Sequence, residues 1–126
     1  MQFAAVGIGA AAGAWLRWVL GIVLNPVLPA MPLGTFAANM IGGFLMGVCM
    51  SLITHYEAMA PELRLLLTTG FLGGLTTFST FSAETATAML RGQYGWTAVI
   101  VVAHVAGSVL LTLAGLALTN LVLQRL

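Results

Sequence analysis

Charged side chains are scarce in this 126-residue chain, which contains no lysine. Only 6% of its residues are charged, whereas a soluble domain carries about 25%. The net charge is +1, so the chain has no electrostatic footprint for nucleic acid. So few charges cannot cover the surface of a water-soluble globule. This scarcity excludes a soluble enzyme, a nucleic-acid-binding protein and a disordered tail.

Cysteine and catalytic motifs are also missing. The single Cys49 excludes a disulfide framework and a multi-cysteine metal site. No Ser/His/Asp, Cys/His or metal-ligand motif occurs, so we expect no enzyme and no catalytic residues. His104 stands apart from other ligand types, which favours a hydrogen bond between helices over a metal-binding role.

Long apolar segments are what the chain has instead. Hydrophobic residues make up 60% of it, and the mean hydropathy is +1.06. A helix that crosses about 30 Å of hydrocarbon needs about 20 apolar residues. Met1, Gln2 and Phe3 carry no basic side chain, so we expect a retained first helix rather than a cleaved signal peptide. The sequence predicts an all-α membrane protein, with residues 1–126 as one transmembrane domain. Its four transmembrane helices, joined by short antiparallel connections, are predicted at about 3–24, 33–53, 61–90 and 96–123.

The third of these segments contains poor helix-forming sequence at its centre. A continuous helix over its roughly 30 residues would be about 45 Å long, more than the membrane core requires. Gly73-Gly74 lacks side-chain restraint, and Thr76 or Thr77 is a good N-cap for a new helix. We therefore predict a break near residues 73–77 at mid-membrane. Such a break exposes backbone carbonyl and N–H groups that could bind an ion. The alternative is a glycine kink whose backbone groups are hydrogen-bonded by neighbouring hydroxyls.

Polar side chains form stripes on three of the predicted helices. The stripes consist of Asn39 beside Gly42 and Gly43, of Thr77, Thr80 and Glu84, and of His104, Ser108, Thr112 and Thr119. They predict a shared hydrated seam, although simple hydrogen bonds between helices are the alternative. Hydroxyl and amide donors in such a seam favour a small anion. Glu84 is the only acid inside a predicted span apart from Glu62, which lies at the start of the third, and Arg17 is the expected electrostatic counterpart of Glu84, in a functional or a structural contact.

The arginines leave the orientation in the membrane open. With four spans, one side would hold Arg64 and Arg125, and the other would hold Arg91 with Arg17 nearby. This near balance allows insertion in both orientations, which would give an antiparallel two-fold dimer. The alternative is that a weak charge bias still selects a single orientation. Small residues spaced four apart, such as Gly9 and Gly13, permit close helix packing within one subunit or between subunits.

The segment from Gly70 to Thr85, GFLGGLTTFSTFSAET, strongly resembles the Fluc (CrcB) family of fluoride channels. Three further segments agree with it, one in each of the other helices: GAWLRW at 13–18, GTFAAN at 34–39 and HVAGS at 104–108. The resemblance covers essentially the whole chain in order. It implies an antiparallel, dual-topology homodimer in the cell inner membrane, with two pathways that export fluoride passively.

The resemblance also implies site residues. Phe78 and Phe81 would line the pores, and Asn39 would supply an amide to them. Backbone carbonyls of Gly73 and Thr76 from each subunit would hold a structural sodium ion at the dimer interface. The remaining implied positions are a polar track of Ser79, Thr80, Ser108 and Thr112, a vestibule arginine at Arg17, and the family's acid at Glu84.

Two other functions fit a small four-helix membrane protein. A small proton-coupled multidrug exporter would need a membrane-embedded acid in the first helix, where this sequence has Arg17 and no acid. A non-transporting subunit of a membrane assembly would need no ion-binding break in the third segment.

Overall fold

A computed structural model describes all residues, 1–126, and contains helices and turns but no strand. The first two helices are α1 (Gln2–Leu24) and α2 (Leu33–His55), joined by a short 3₁₀ turn. The third segment starts as α3 (Pro61–Leu65), continues as a π-helical stretch (Leu66–Leu72) and ends in the short α4 (Gly73–Leu75). After a break, α5 (Phe78–Leu90) and α6 (Tyr94–Leu123) complete the chain. The prediction of an all-helical chain is confirmed.

Three helical stretches are long and apolar enough to cross a membrane, namely Gln2–Val27, Leu33–His55 and Tyr94–Leu123. The chain thus has several helices apolar enough to span a membrane, as expected, whereas the predicted number of four spans stays a prediction. The third segment differs from these three because its two halves are separate helices. The second half, α5, has only 13 residues, fewer than the roughly 20 that a single crossing needs.

A tight turn separates α5 from α6 and explains why α6 begins earlier than predicted. Gly92 has φ +71°, a left-handed conformation that suits glycine. The N–H of Gly92 bonds Met89 O at 3.0 Å, and the N–H of Gln93 bonds Ala88 O at 2.9 Å. These two bonds close the C-terminal end of α5. The chain has turned by Gln93, so α6 starts at Tyr94 rather than Trp96.

Glycines bring the helix backbones into direct contact within the chain. A Cβ at Gly47 of α2 would overlap Thr112 O of α6, and one at Gly115 of α6 would overlap Phe44 O of α2. Gly9 and Gly13 of α1 face the backbone of the third segment in the same way. These small-residue motifs therefore pack the helices of one subunit, the first of the two uses that the sequence left open.

Replacing Gly13 with alanine should destabilise the fold, because the new methyl group would overlap Phe71 O and lie 2.7 Å from Leu75 N. Backbone atoms cannot move aside as a flexible side chain can, so we expect a loss of about 1–3 kcal/mol in the free energy of unfolding. Thermal unfolding in detergent measures the change. Gly7→Ala on the same helix is the control, since nothing lies within 4 Å of that position. Equal melting temperatures for the two variants would contradict the close packing.

Candidate functional site

The break in the third segment lies at Thr76 and Thr77. Their backbones are extended, with φ −82° and ψ 153° at Thr76 and φ −148° and ψ 116° at Thr77. The Thr77 hydroxyl oxygen caps α5 by accepting the N–H of Thr80 at 3.1 Å. Gly73 is still helical, with φ −63° and ψ −36°. The interruption therefore follows the glycine pair and occupies the end of the predicted interval.

The side chain of Asn39 on α2 binds both the N–H and the carbonyl group of Thr77. The N–H of Thr77 donates to Asn39 Oδ1 at 2.8 Å, and Asn39 Nδ2 donates to Thr77 O at 3.1 Å. One side-chain amide thus satisfies the N–H that extended Thr77 would leave unpaired and adds a donor to its carbonyl. This reciprocal pair joins α2 to the break. It explains how extended backbone persists between apolar helices.

The carbonyl oxygens at the end of α4 have different partners. Arg17 Nε on α1 donates to Gly74 O at 3.0 Å. The carbonyls of Gly73 and Thr76 accept no hydrogen bond from within the chain. Those two oxygens are free for an external partner, and they are the two that the resemblance assigns to sodium.

Arg17 and Glu84 do not form an ion pair within the chain. Arg17 binds Gly74 O, while Glu84 Oε1 accepts the Thr35 hydroxyl at 2.5 Å and Glu84 Oε2 is buried without a partner. The physical reason is that α1 packs against the half of the third segment before the break, whereas Glu84 lies on the half after it. The expected contact between the two charges is therefore wrong within one subunit.

An open cleft of about 440 Å³ lies between α2, the break and α6. This first cleft contains seven of the predicted site residues, which are Asn39, Gly73, Thr76, Phe78, Phe81, Ser108 and Thr112. Thr77 and His104 also line it. The stripes of α2 and α6 thus meet Thr77 at this surface, whereas Thr80 and Glu84 of the third stripe do not line it.

A second cleft of about 320 Å³ opens on another side of the break. Arg17 and Thr80 line it, together with Asn25, Thr35 and Thr77. Thr77 is common to both clefts. Thr77, which Asn39 binds, therefore lies between the first cleft and Arg17, the predicted vestibule residue.

Aromatic rings form one wall of the first cleft. The Phe81 ring is buried, with its centroid 5.5 Å from that of Phe78 and 4.8 Å from that of His104. Phe36 also contacts His104, with a centroid distance of 5.4 Å and an edge-on arrangement. Phe78 itself is 78% exposed. The two predicted phenylalanines are thus neighbours, but only one of them is buried in the single chain.

Several predicted polar residues are bonded to backbone rather than free in the cleft. The Thr112 hydroxyl is 2.9 Å from Gly43 O and 2.8 Å from Ser108 O, which is bonding between and within helices. The Thr119 hydroxyl donates to Gly115 O of its own helix. Ser79 lines neither cleft and is exposed, with its hydroxyl oxygen 3.3 Å from that of Thr77. For Thr112 and Thr119, the hydroxyls are bonded to helix backbone, which is the alternative to a hydrated seam.

The sequence did not reveal the roles of two residues at the second cleft. Thr35 binds Glu84, and Asn25 Oδ1 accepts the N–H groups of Gly34 and Thr35 at 2.8 and 3.3 Å. Asn25 therefore satisfies the first turn of α2 from outside that helix. The only signal was its position before a proline in the connection between α1 and α2.

Comparison with known proteins identifies related chains. A family model described as "CrcB-like protein, Camphor Resistance (CrcB)" matches residues 4–116. The chain is 57% identical over 112 residues to a protein of Nitrosospira multiformis named "Fluoride-specific ion channel FluC", covering 89% of this chain and 88% of that protein. Proteins of the same name from Aromatoleum aromaticum and Cupriavidus taiwanensis are 58% and 54% identical, covering 91% and 92% of this chain and 88% and 92% of their own lengths.

Proposed function

This chain belongs to the CrcB-like family of membrane proteins, and on that premise we propose that it is a fluoride-selective channel that exports fluoride passively. The observation that carries the proposal is the polar cleft built around the Asn39–Thr77 pair, in a chain whose relatives are named fluoride-specific ion channels. These relatives are named as ion channels and not as enzymes, which confirms the expectation that this chain is not an enzyme. Export through such a channel would give the cell resistance to fluoride.

The chemistry of the first cleft suits a small, strongly hydrated anion. Fluoride gives up water only where close polar groups replace it, and the cleft is lined by an amide, hydroxyl groups and the positive edges of aromatic rings. Within the chain the Asn39 amide is bonded to Thr77, and the Ser108 and Thr112 hydroxyls donate to backbone carbonyls, so a passing anion must compete for these donors. No acid lines the cleft, since Glu84 lies away from it and binds Thr35. We propose that the anion passes Asn39, Phe78 and Phe81. Ser108 and Thr112 in the first cleft, together with Ser79 and Thr80 outside it, form its polar track, and Arg17 lies at its vestibule in the second cleft.

The rival mechanism is proton-coupled export, and liposome flux separates the two. Purified protein in liposomes loaded with fluoride should release it down its own gradient when no pH gradient is present and charge is balanced by an ionophore. A channel keeps this rate when a pH gradient is imposed at equal membrane potential. A proton-coupled exporter would instead drive fluoride against its gradient when protons flow. Absence of fluoride release under every condition would favour a non-transporting membrane subunit.

We further propose that two copies form an antiparallel homodimer in the cell inner membrane, with two pores and a central structural sodium ion. Three surface features support a second copy, namely the exposed Phe78 ring, the exposed Gly73, and the unbonded carbonyls of Gly73 and Thr76. The near-even distribution of the four arginines between the two predicted membrane sides also supports it. Carbonyl oxygens suit a hard cation such as sodium. A bound cation would also attract an anion towards the neighbouring cleft.

Substituting Gly73 by alanine should weaken the dimer without disturbing the subunit. Within the chain, a Cβ at Gly73 meets only Thr68 O, at an ordinary contact distance of 3.8 Å. A second copy that approaches this backbone would be displaced by the methyl group, and we expect the dimer dissociation constant to rise about tenfold. Subunit exchange between fluorescently labelled proteins in lipid measures it. Gly95→Ala, which meets nothing within 4 Å, is the control; equal dissociation constants would contradict the interface.

A further inference from the structure

The hydrogen bonds around Asn39 determine where the proton of His104 resides. A backbone N–H can only donate, and a backbone carbonyl can only accept. Since Asn39 pairs with both groups of Thr77, its oxygen must face the Thr77 N–H and its nitrogen must face Thr77 O. The orientation of the Asn39 amide is therefore fixed by the backbone at the break.

The second hydrogen of the Asn39 amide then points to His104. Asn39 Nδ2 lies 3.1 Å from His104 Nδ1, in addition to its bond with Thr77 O. An amide nitrogen has two hydrogens and no acceptor capacity. His104 Nδ1 must therefore accept, which leaves it without a proton. A neutral imidazole in this position carries its proton on Nε2.

His104 Nε2 has no partner within the chain. The residue is 4% exposed, and its Nε2 is a buried atom without a hydrogen bond. The side chain lines the first cleft, and its ring packs against those of Phe36 and Phe81. A buried N–H donor without an acceptor is unfavourable, because it has lost its water and gained nothing in return. A small anion in the cleft would supply the missing acceptor.

We propose that Asn39 and Thr77 hold His104 in the Nε2–H tautomer, and that this N–H is a fluoride-binding donor beside Phe81. The inference rests on the proposed function, since it names a donor for the same anion. It gives the Asn39 amide a second task besides holding the break. It also makes His104 a binding residue, where the sequence alone favoured a packing role.

Nitrogen-15 NMR of the protein in lipid tests the tautomer without any measurement of transport. His55 is exposed at the end of α2, so His55→Gln leaves His104 as the single histidine. We expect the unprotonated nitrogen to be Nδ1 and the Nε2–H resonance to shift on addition of fluoride but not of chloride. In Asn39→Asp, a carboxylate cannot donate to Nδ1, and the proton should move to that nitrogen. An Nδ1–H tautomer in the parent protein, or no fluoride-dependent shift, would overturn the proposal.

Two substitutions of His104 distinguish the contributions of its two ring nitrogens to fluoride flux. The Asn side chain places an oxygen near the position of Nδ1 and nothing near Nε2, so His104→Asn keeps the acceptor for Asn39 but lacks the donor. The Gln side chain reaches the position of Nε2 and restores a donor there. We expect His104→Asn to lower flux about tenfold, the effect of one lost hydrogen bond to a charged partner, and His104→Gln to recover most of it. Flux of His104→Asn equal to that of the parent would overturn the proposal, whereas a parent protein without flux would contradict the channel itself.

Discussion

Replacing Asn39 with aspartate should lower fluoride flux about 100-fold or more without changing the oligomeric state of the protein. The aspartate can still accept the Thr77 N–H, but it cannot donate to Thr77 O or to His104 Nδ1. The loss of two donated hydrogen bonds would be enough for a change of this size. The new carboxylate also places a negative charge in the path of an anion, with little water to screen it. Fluoride efflux from liposomes measures the effect, and size-exclusion chromatography checks the assembly.

Asn120→Asp is the matched control for this experiment. Asn120 lies near the end of α6, outside both clefts, and its Oδ1 accepts a short hydrogen bond from the buried Ser51 hydroxyl. Aspartate keeps that acceptor and introduces the same charge at a different place. We expect its flux to stay close to that of the parent. An equal loss in both variants would show that the charge acts through the whole protein rather than through the cleft.

Replacing Phe81 with isoleucine should lower fluoride flux about tenfold. Phe81 is the buried member of the phenylalanine pair and touches both Phe78 and His104. Isoleucine fills part of the volume but has no ring edge to present to an anion, and it removes the aromatic contacts that orient the neighbouring rings. The same liposome assay measures the change, and chromatography should show an unchanged oligomeric state.

The control for the aromatic substitution is Phe3→Ile, because Phe3 is 95% exposed near the start of α1 and lines neither cleft. The chemical change is the same, but no ring or polar group of the site is affected. We expect parental flux from this variant. Parental flux from Phe81→Ile as well would remove Phe81 from the pathway.

Local sequence signals predicted the helical segments and the interval of the break. Apolar runs identified the helices, and the threonines after Gly73-Gly74 marked a new N-terminus, which is Thr77 in the structure. Phe78 and Phe81 are three residues apart, a spacing that puts two side chains on one helix face, and their ring centroids are 5.5 Å apart. Each of these features depends on residues within about one helical turn of each other, which is the range that sequence periodicity describes.

Contacts between distant residues were beyond such signals. The pairing of Asn39 with Thr77 spans 38 positions, and the bond from Arg17 to Gly74 spans 57. The π-helical stretch before the break was also unpredicted; there Gly9 of α1 faces the backbone of Leu66, Gly70 and Phe71. A contact of Arg17 with Glu84 was expected from their charges, within or between subunits. Within the chain it does not form, because α1 packs against the half of the third segment before the break and Glu84 lies after it.

Selectivity between fluoride and chloride is the most direct test of the central claim that this chain is a fluoride channel. Liposomes that contain the purified protein and both anions are treated with a potassium ionophore, and ion-selective electrodes follow the release of each anion. The account predicts rapid release of fluoride and very little release of chloride, with fluoride release lost in Asn39→Asp. Equal release of the two anions, or release that Asn39→Asp leaves unchanged, would contradict it.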